Sequence, residues 1–186
     1  MLNKDRKPTK LRVHRFMTDI RYLFFNQRPS FNQVAGEDLV GVLIGVGNGI
    51  NAKNICKCLD IKKLYLIDPY MIYEGYDIKK VKNFRLLEQQ AQCRLKKESV
   101  VFIKKLSKNA CNMVPDDLDF VYIDGNHHYD YVKQDINLYY PKIKTGGILG
   151  GHEFVDELGV IKAVTEFCHE NNLKIHHVSK DWWIRK

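Results

Sequence analysis

Leu39 to Asp68 reads LVGVLIGVGNGINAKNICKCLDIKKLYLID, and this stretch decides the fold. It opens with an apolar run, Leu39 to Ile44, broken only by Gly41. Glycines follow at Gly45, Gly47 and Gly49, then a segment with helical spacing, Ile50 to Leu59. A second apolar run, Leu64 to Ile67, ends on Asp68. The reading is strand, glycine turn, helix, strand, acid. A glycine turn between strand and helix brings a ligand close to bare backbone at the positive end of the helix. An acid at the tip of the next strand, about 20 residues on, is placed to accept hydrogen bonds from ribose hydroxyls. The pattern therefore points to a nucleoside-containing ligand at the C-terminal ends of a parallel sheet. Gly45-Val46-Gly47-Asn48-Gly49 is not G-x-G-x-x-G, which argues against a nicotinamide dinucleotide.

The rest of the chain extends this unit. Strands are expected at Ser99–Ile103, Asp119–Ile123 and Gly147–Leu149, the last entered through Gly146-Gly147. Helices are expected at Lys79–Lys97, Ser107–Met113, Tyr129–Tyr140 (ended by Pro141) and Leu158–Asn171. Lys174–Val178 and Asp181–Arg185, joined by Ser179-Lys180, read as a hairpin that places one antiparallel strand near the sheet edge. Such alternation gives an α/β, Rossmann-like fold: a mostly parallel sheet with helices on both faces. Residues 1–38 read as a basic arm, with a covering helix at Leu11–Phe25. Residues 39–186 are the ligand-binding part of a single domain.

A chain of 186 residues with 45% hydrophobic and 28% charged residues can bury a full core. It holds no apolar run long enough for a membrane span. The five cysteines (Cys56, Cys58, Cys93, Cys111, Cys168) are scattered without a C-x-x-C, as expected for reduced thiols of a cytoplasmic protein. The formal charge is +8, with lysines spread in pairs. That suits a solvated basic surface better than a nucleic-acid stripe. A homodimer is compatible with these features.

The second informative stretch runs from Leu118 to Phe154. Residues just past strand ends line the ligand crevice of an open α/β sheet. Asp124 and His127, with His128 beside them, are therefore expected to face the same site as Gly47 and Asp68. A histidine there can move a proton near neutral pH, and an aspartate can orient it. His152 and Glu153 close the next strand. With Asp124 they are candidate ligands for Mg²⁺. Tyr70, Tyr73 and Tyr76 lie in the loop after Asp68, where they could stack on a base or simply pack. His14, His169, His176 and His177 carry no partner pattern.

Ile123-Asp124-Gly125-Asn126-His127-His128-Tyr129 and Gly146-Gly147-Ile148-Leu149-Gly150-Gly151-His152-Glu153 also carry a resemblance. Together with the glycine turn, they resemble the class I S-adenosylmethionine-dependent methyltransferases. The similarity is to the small O-methyltransferase-like branch with I-D-G-x-H-x-Y and G-H-D motifs, over roughly residues 39–186. The resemblance implies a seven-stranded sheet with a reversed last strand and S-adenosylmethionine as cofactor. It places Gly45, Gly47 and Gly49 around the methionine and ribose, Asp68 on the ribose and Ser107 near the adenine. The same resemblance implies that Asp124 sits between cofactor and acceptor. Two positions depart from the pattern: Leu43 stands where the family often has an acid, and Glu153 where it usually has aspartate. The expected reaction is methyl transfer to a hydroxyl of a small molecule or sugar, with His127 as base. An RNA or protein methyltransferase, a nicotinamide-binding oxidoreductase and a non-catalytic cofactor-binding module are the alternatives.

Overall fold

The computed structural model describes residues 28–76 and 83–186. The expected helix at Leu11–Phe25 lies outside the described residues, as does the start of the one at Lys79–Lys97. After a 3₁₀ turn at Pro29–Gln33, the elements follow in order. They are β1 (Leu39–Ile44), α1 (Ile50–Cys58), β2 (Ile61–Ile67), α2 (Phe84–Leu95), β3 (Val100–Ile103) and α3 (Ser107–Ala110), which runs into a 3₁₀ turn, Cys111–Met113. Next come β4 (Leu118–Ile123), α4 (Tyr129–Tyr139), β5 (Ile143–Gly151), α5 (Leu158–Glu170), β6 (His176–Val178) and β7 (Asp181–Arg185). The seven strands stand in the order β3-β2-β1-β4-β5-β7-β6. β1 to β5 are parallel; β7 runs antiparallel to both β5 and β6. The Rossmann-like fold, the hairpin and the reversed strand are as the sequence indicated.

β1 reads as a continuous apolar run because both of its faces are covered. Val42 and Ile44 face one core cluster, with Val132 and Ile136 of α4 and Val160 and Val164 of α5. Leu43 faces the opposite cluster, with Ala52 and Ile55 of α1 and Ala91 and Leu95 of α2. Gly41 interrupts the run for a steric reason: a Cβ there would lie 2.2 Å from the Phe120 ring. Leu43 is fully buried in apolar surroundings, so the departure from an acid at this position costs the fold nothing.

Three element boundaries differ most from the sequence reading. β2 begins at Ile61, not Leu64, because Leu39 pairs with Ile61 while Lys62 and Lys63 interrupt the apolar signal. α2 begins at Phe84, where Asn83 caps it by accepting a hydrogen bond from the Leu86 amide at 2.9 Å. β5 runs from Ile143 through the glycine pair to Gly151, with a register shift against β4. Gly146 takes φ +83, and a Cβ on Gly147 would lie 2.5 Å from Ile143 and 2.8 Å from the Asp119 carbonyl. The glycines that read as a strand entrance are the bulge inside the strand.

Within the stretch read as part of the basic arm, Ser30 and Phe31 are built into the core. Phe31 is 2% exposed and meets Tyr122 edge to face at 5.0 Å. The five cysteines form no disulfide. Among the described residues no helix is long and apolar enough to cross a membrane.

Candidate active site

The chain order reverses between β1 and β4, so the connections leaving these two strands diverge and leave a crevice at their C-terminal ends. A cleft of about 340 Å³ opens there. Gly45 leaves β1 in the left-handed region, φ +85, and its missing Cβ would otherwise lie 2.1 Å from the Asp124 carbonyl. The Asp124 amide in turn donates to the Ile44 carbonyl at 2.8 Å. Gly45 is thus required where two strand ends touch. Gly47, φ +52, also lines the cleft, and an added Cβ would meet no atom within 4 Å. Gly49 does not line it. It caps α1 at φ +81, and a Cβ would lie 3.0 Å from Ala91 of α2.

This contrast yields an expected result. Gly45→Ala combines an unfavourable φ with a collision against main chain and should cost about 3 kcal/mol or more. Gly47→Ala should cost only about 1 to 2 kcal/mol, but it places a methyl group in the cleft. Thermal melts should separate the two, and ligand titration should show that folded Gly47→Ala binds poorly.

Asp68 lines the cleft from the tip of β2. Its Oδ2 accepts hydrogen bonds from the Val46 and Gly47 amides at 2.9 and 3.0 Å, and Oδ1 accepts from the Tyr70 amide at 2.9 Å. Tyr70 completes the clasp, its hydroxyl donating to the Gly47 carbonyl at 3.0 Å. The turn that lacks an acid at Leu43 is therefore anchored by the acid on the neighbouring strand. A carboxylate has about four acceptor positions, so three protein bonds leave Asp68 capacity for a ligand hydroxyl.

The other tyrosines divide by role. Tyr70, Tyr73 and Tyr76 all line the cleft, but only Tyr70 is buried. Tyr73 meets Tyr76 at 5.2 Å and Tyr131 at 5.7 Å, and Tyr76 meets Phe84 at 5.4 Å. Burial pushes the Tyr73 hydroxyl up to about 12, so it stays protonated. Ser107 stands at the far end of the cleft, after β3, where its carbonyl accepts from the Tyr139 hydroxyl at 2.8 Å.

Asp124 lines the cleft past β4. Its Oδ2 accepts from the Asn51 side-chain amide and lies 3.7 Å from Arg28 Nη2. His127 sits behind it, with Nε2 3.8 Å from Asp124 Oδ1 and Nδ1 4.0 Å from Glu157. The His127 Nε2 is buried and has no hydrogen-bond partner. The start of α5 presses on this loop, since a Cβ on Gly159 would lie 2.4 Å from the His127 carbonyl. His128 does not face the site; it is exposed and precedes α4, its amide donating to Asn126 Oδ1 at 2.9 Å.

The Mg²⁺ assignment to Asp124, His152 and Glu153 does not fit the structure. Among the described residues, no group of three His, Cys, Asp or Glu is placed to hold a metal ion. The Arg28 guanidinium stands between the strand tips instead. Its Nη1 lies 2.6 and 2.7 Å from the two His152 ring nitrogens, and its Nη2 faces Asp124. Glu153 pairs with Lys180 at 3.3 Å. Behind His152, buried Asp181 on β7 accepts from Tyr122 at 2.7 Å and from Ser30 Oγ at 2.8 Å, and lies 3.3 Å from His152 Nδ1. The fixed cation is already part of the protein. Nothing in the sequence marked Arg28 or Asp181, because their partners lie 124 and 59 residues away.

Asp135 on α4 is the other residue that sequence reading missed. It is 3% exposed, forms part of the cleft wall and leaves Oδ1 without a hydrogen-bond partner. Burial raises its carboxyl from 3.8 to about 7, opposed by a hydrogen bond with the Ser107 side chain. The folded protein therefore holds a proton that the unfolded chain has lost, and stability falls as pH rises from about 4 to about 7. Asp135→Asn should flatten that decline by a few kcal/mol at most, at about 1.4 kcal/mol per unit. Urea unfolding at pH 5 and pH 8 checks it.

Residues 42–154 match the family described as a methyltransferase domain. The chain belongs to this family. A curated relative, "Uncharacterized protein R132" of Acanthamoeba polyphaga mimivirus, is 28% identical over 130 residues, or 67% of this chain. The chain matches 56% of that relative's length. Three solved structures share the methyltransferase fold. The O-methyltransferase NovP aligns at TM-score 0.61 and 17% identity, over 95% of this chain and 79% of its own. SMU.1697c, a methyltransferase-like protein of Streptococcus mutans solved with S-adenosylhomocysteine, aligns at 0.64 and 14% identity, over 84% and 93%. An rRNA methylase of Streptococcus thermophilus aligns at 0.61 and 14% identity, over 84% and 92%. In this methyltransferase domain the matched residues include the glycine turn, Asp68, Asp124 and His127, all within 42–154.

Proposed function

We propose that this methyltransferase domain binds S-adenosylmethionine and methylates a hydroxyl oxygen of a small molecule or sugar. The observation that carries the reading is the pairing of Gly47 with Asp68. Bare main chain lines the cleft, and the carboxylate that anchors it lines the same cleft. An adenosyl ligand fits this arrangement: Gly45 and Gly47 would lie against its methionine and ribose, Asp68 would accept a ribose hydroxyl, and Ser107 would face the base. When bound, S-adenosylmethionine supplies a methyl group already activated on a sulfonium.

The chain then has to align the acceptor and remove its proton. His127 is the base in this reading, supported by its unpartnered Nε2 beside Asp124. The acceptor O–H proton passes to Nε2, and Asp124 steadies the resulting imidazolium. Asn51 and Arg28 hold the Asp124 carboxylate in place. Tyr73, Tyr76 and Tyr131 shield one side of the cleft from water.

Calorimetric titration with S-adenosylhomocysteine and NADH tests the cofactor, and transfer of a labelled methyl group to a panel of hydroxyl acceptors tests the reaction. NADH binding without S-adenosylhomocysteine binding overturns the proposal. Cofactor binding without turnover on any acceptor would make this a non-catalytic module. The alternative of an RNA acceptor has the +8 charge as its support, although the spread of the lysines suits a solvated surface better. Steeply salt-dependent RNA binding together with labelled RNA would establish that alternative.

A further inference from the structure

We infer that Arg28 presents its guanidinium to the acceptor oxygen and supplies there the positive charge that a divalent cation would otherwise bring, so that methyl transfer needs no metal ion. The inference rests on the hydroxyl-methylating reading above and deepens it at Asp124, where that reading puts the acceptor.

The guanidinium is held from behind. Buried Asp181 accepts from the Tyr122 hydroxyl on Oδ1 at 2.7 Å, and from the Ser30 hydroxyl and amide on Oδ2 at 2.8 and 3.3 Å. Its Oδ1 also lies 3.3 Å from His152 Nδ1. That contact assigns the ring proton to Nδ1 and leaves Nε2 to accept from Arg28 Nη1 at 2.7 Å. One buried carboxylate therefore fixes both the backbone two residues after the arginine and the ring that receives it. A charge set in place this way needs no reorganisation during the reaction.

Nη2 is on the open side. It lies 3.4 Å from Asn51 Oδ1 and 3.7 Å from Asp124 Oδ2, the first long for a hydrogen bond and the second beyond one. Both partners line the cleft, and the Arg28 and Asp124 side chains remain 21% and 14% exposed. An acceptor oxygen beside Asp124 takes the hydrogen bond from Nη2 that the carboxylate is too distant to take. As its proton passes to His127 Nε2, that oxygen gains negative charge. The O–C bond forms, the C–S bond breaks, and its electron pair stays on sulfur as S-adenosylhomocysteine. Arg28 neither gains nor loses a proton; its fixed charge stabilises the oxygen while the charge develops. A divalent cation could serve the same purpose. Between Asp124 and His152, however, it would meet a guanidinium already in place and be repelled. Glu153, the remaining group of the expected metal set, pairs with Lys180.

The test uses the 186-residue chain and an acceptor that gains labelled methyl in the assay above. Wild-type turnover should stay within about twofold when EDTA replaces magnesium. Calorimetric titration with MgCl₂ should show no site that Asp124→Asn removes. Arg28→Ala should keep S-adenosylhomocysteine affinity within about twofold and lower kcat by a factor on the order of 100 or more. Millimolar guanidinium chloride should then recover about tenfold where potassium chloride does not, a response that a purely structural tie would not give. Arg28→Lys keeps a cation and should retain more activity than Arg28→Ala. If Arg28→Ala does not fold, Arg28→Lys and the wild-type magnesium arms decide. Turnover lost in EDTA and restored by magnesium, a magnesium site that Asp124→Asn removes, or full activity in folded Arg28→Ala overturns the inference. So does a loss that guanidinium leaves unrescued and that Arg28→Lys shares in full. All of these leave the cofactor reading intact. A wild type that neither binds S-adenosylhomocysteine nor methylates any hydroxyl acceptor overturns that reading, and this inference with it.

Discussion

His127→Ala should leave S-adenosylhomocysteine affinity within about twofold and lower methyl transfer by a factor on the order of 100 or more. The structure separates the two quantities. His127 does not line the cleft, so on the proposed reading its removal takes away no contact with the nucleoside. Its Nε2, however, is buried without a hydrogen-bond partner, 3.8 Å from the Asp124 carboxylate. In the proposed reading the acceptor hydroxyl supplies the missing partner. A loss of 100-fold corresponds to about 2.7 kcal/mol of transition-state stabilisation. Single-turnover rates with labelled cofactor, read beside calorimetric affinities, decide the matter. Wild-type turnover in the variant would remove His127 as the base. His152 would then be the next candidate, since buried Asp181 stands behind its Nδ1.

Asp68→Ala should weaken S-adenosylhomocysteine by about 3 kcal/mol, the upper end for hydrogen bonds to a charged group. Two losses combine. The ribose loses its acceptor, and the Val46, Gly47 and Tyr70 amides lose theirs, so the turn is no longer held in its binding shape. A cofactor analogue lacking the 2′-hydroxyl separates these contributions. The wild type should discriminate against it, and Asp68→Ala should not. Unchanged affinity for S-adenosylhomocysteine in Asp68→Ala would show that the carboxylate only ties loops together. Discrimination that survives in the variant would place the ribose elsewhere.

Much of this architecture was legible from local pattern. Leu39–Ile44 and Leu64–Ile67 are unbroken apolar runs because parallel strands buried on both faces require them. Gly45 and Gly47 announced a turn where backbone must come close to something else. Asp181–Arg185, two residues after His176–Val178, could only return alongside it. Other features left weaker traces. Lys62 and Lys63 hid the first turn-proximal residues of β2, since side chains near a strand end can point to solvent without ending the pairing. Gly146-Gly147 read as a boundary because a bulge and a turn demand the same residue. The glycines also looked alike in the sequence, yet one packs on Asp124, one lines the cleft and one packs on Ala91.

The order of apolar runs, glycines and strand-tip acids settled the sheet, its direction and the edge at which the cleft opens, because each of these follows from contacts between residues near in the chain. Which charges meet at that edge was decided only by folding. Arg28 among Asp124, His152 and Asp181, and Asp135 beside Ser107, are brought together by strands distant in sequence. Periodicity carries no information about such pairs. Of three strand-tip groups that suited a metal, Asp124 and His152 therefore proved to flank a guanidinium while Glu153 pairs with Lys180, and an ordinary helical aspartate proved to be a buried acid in the cleft wall.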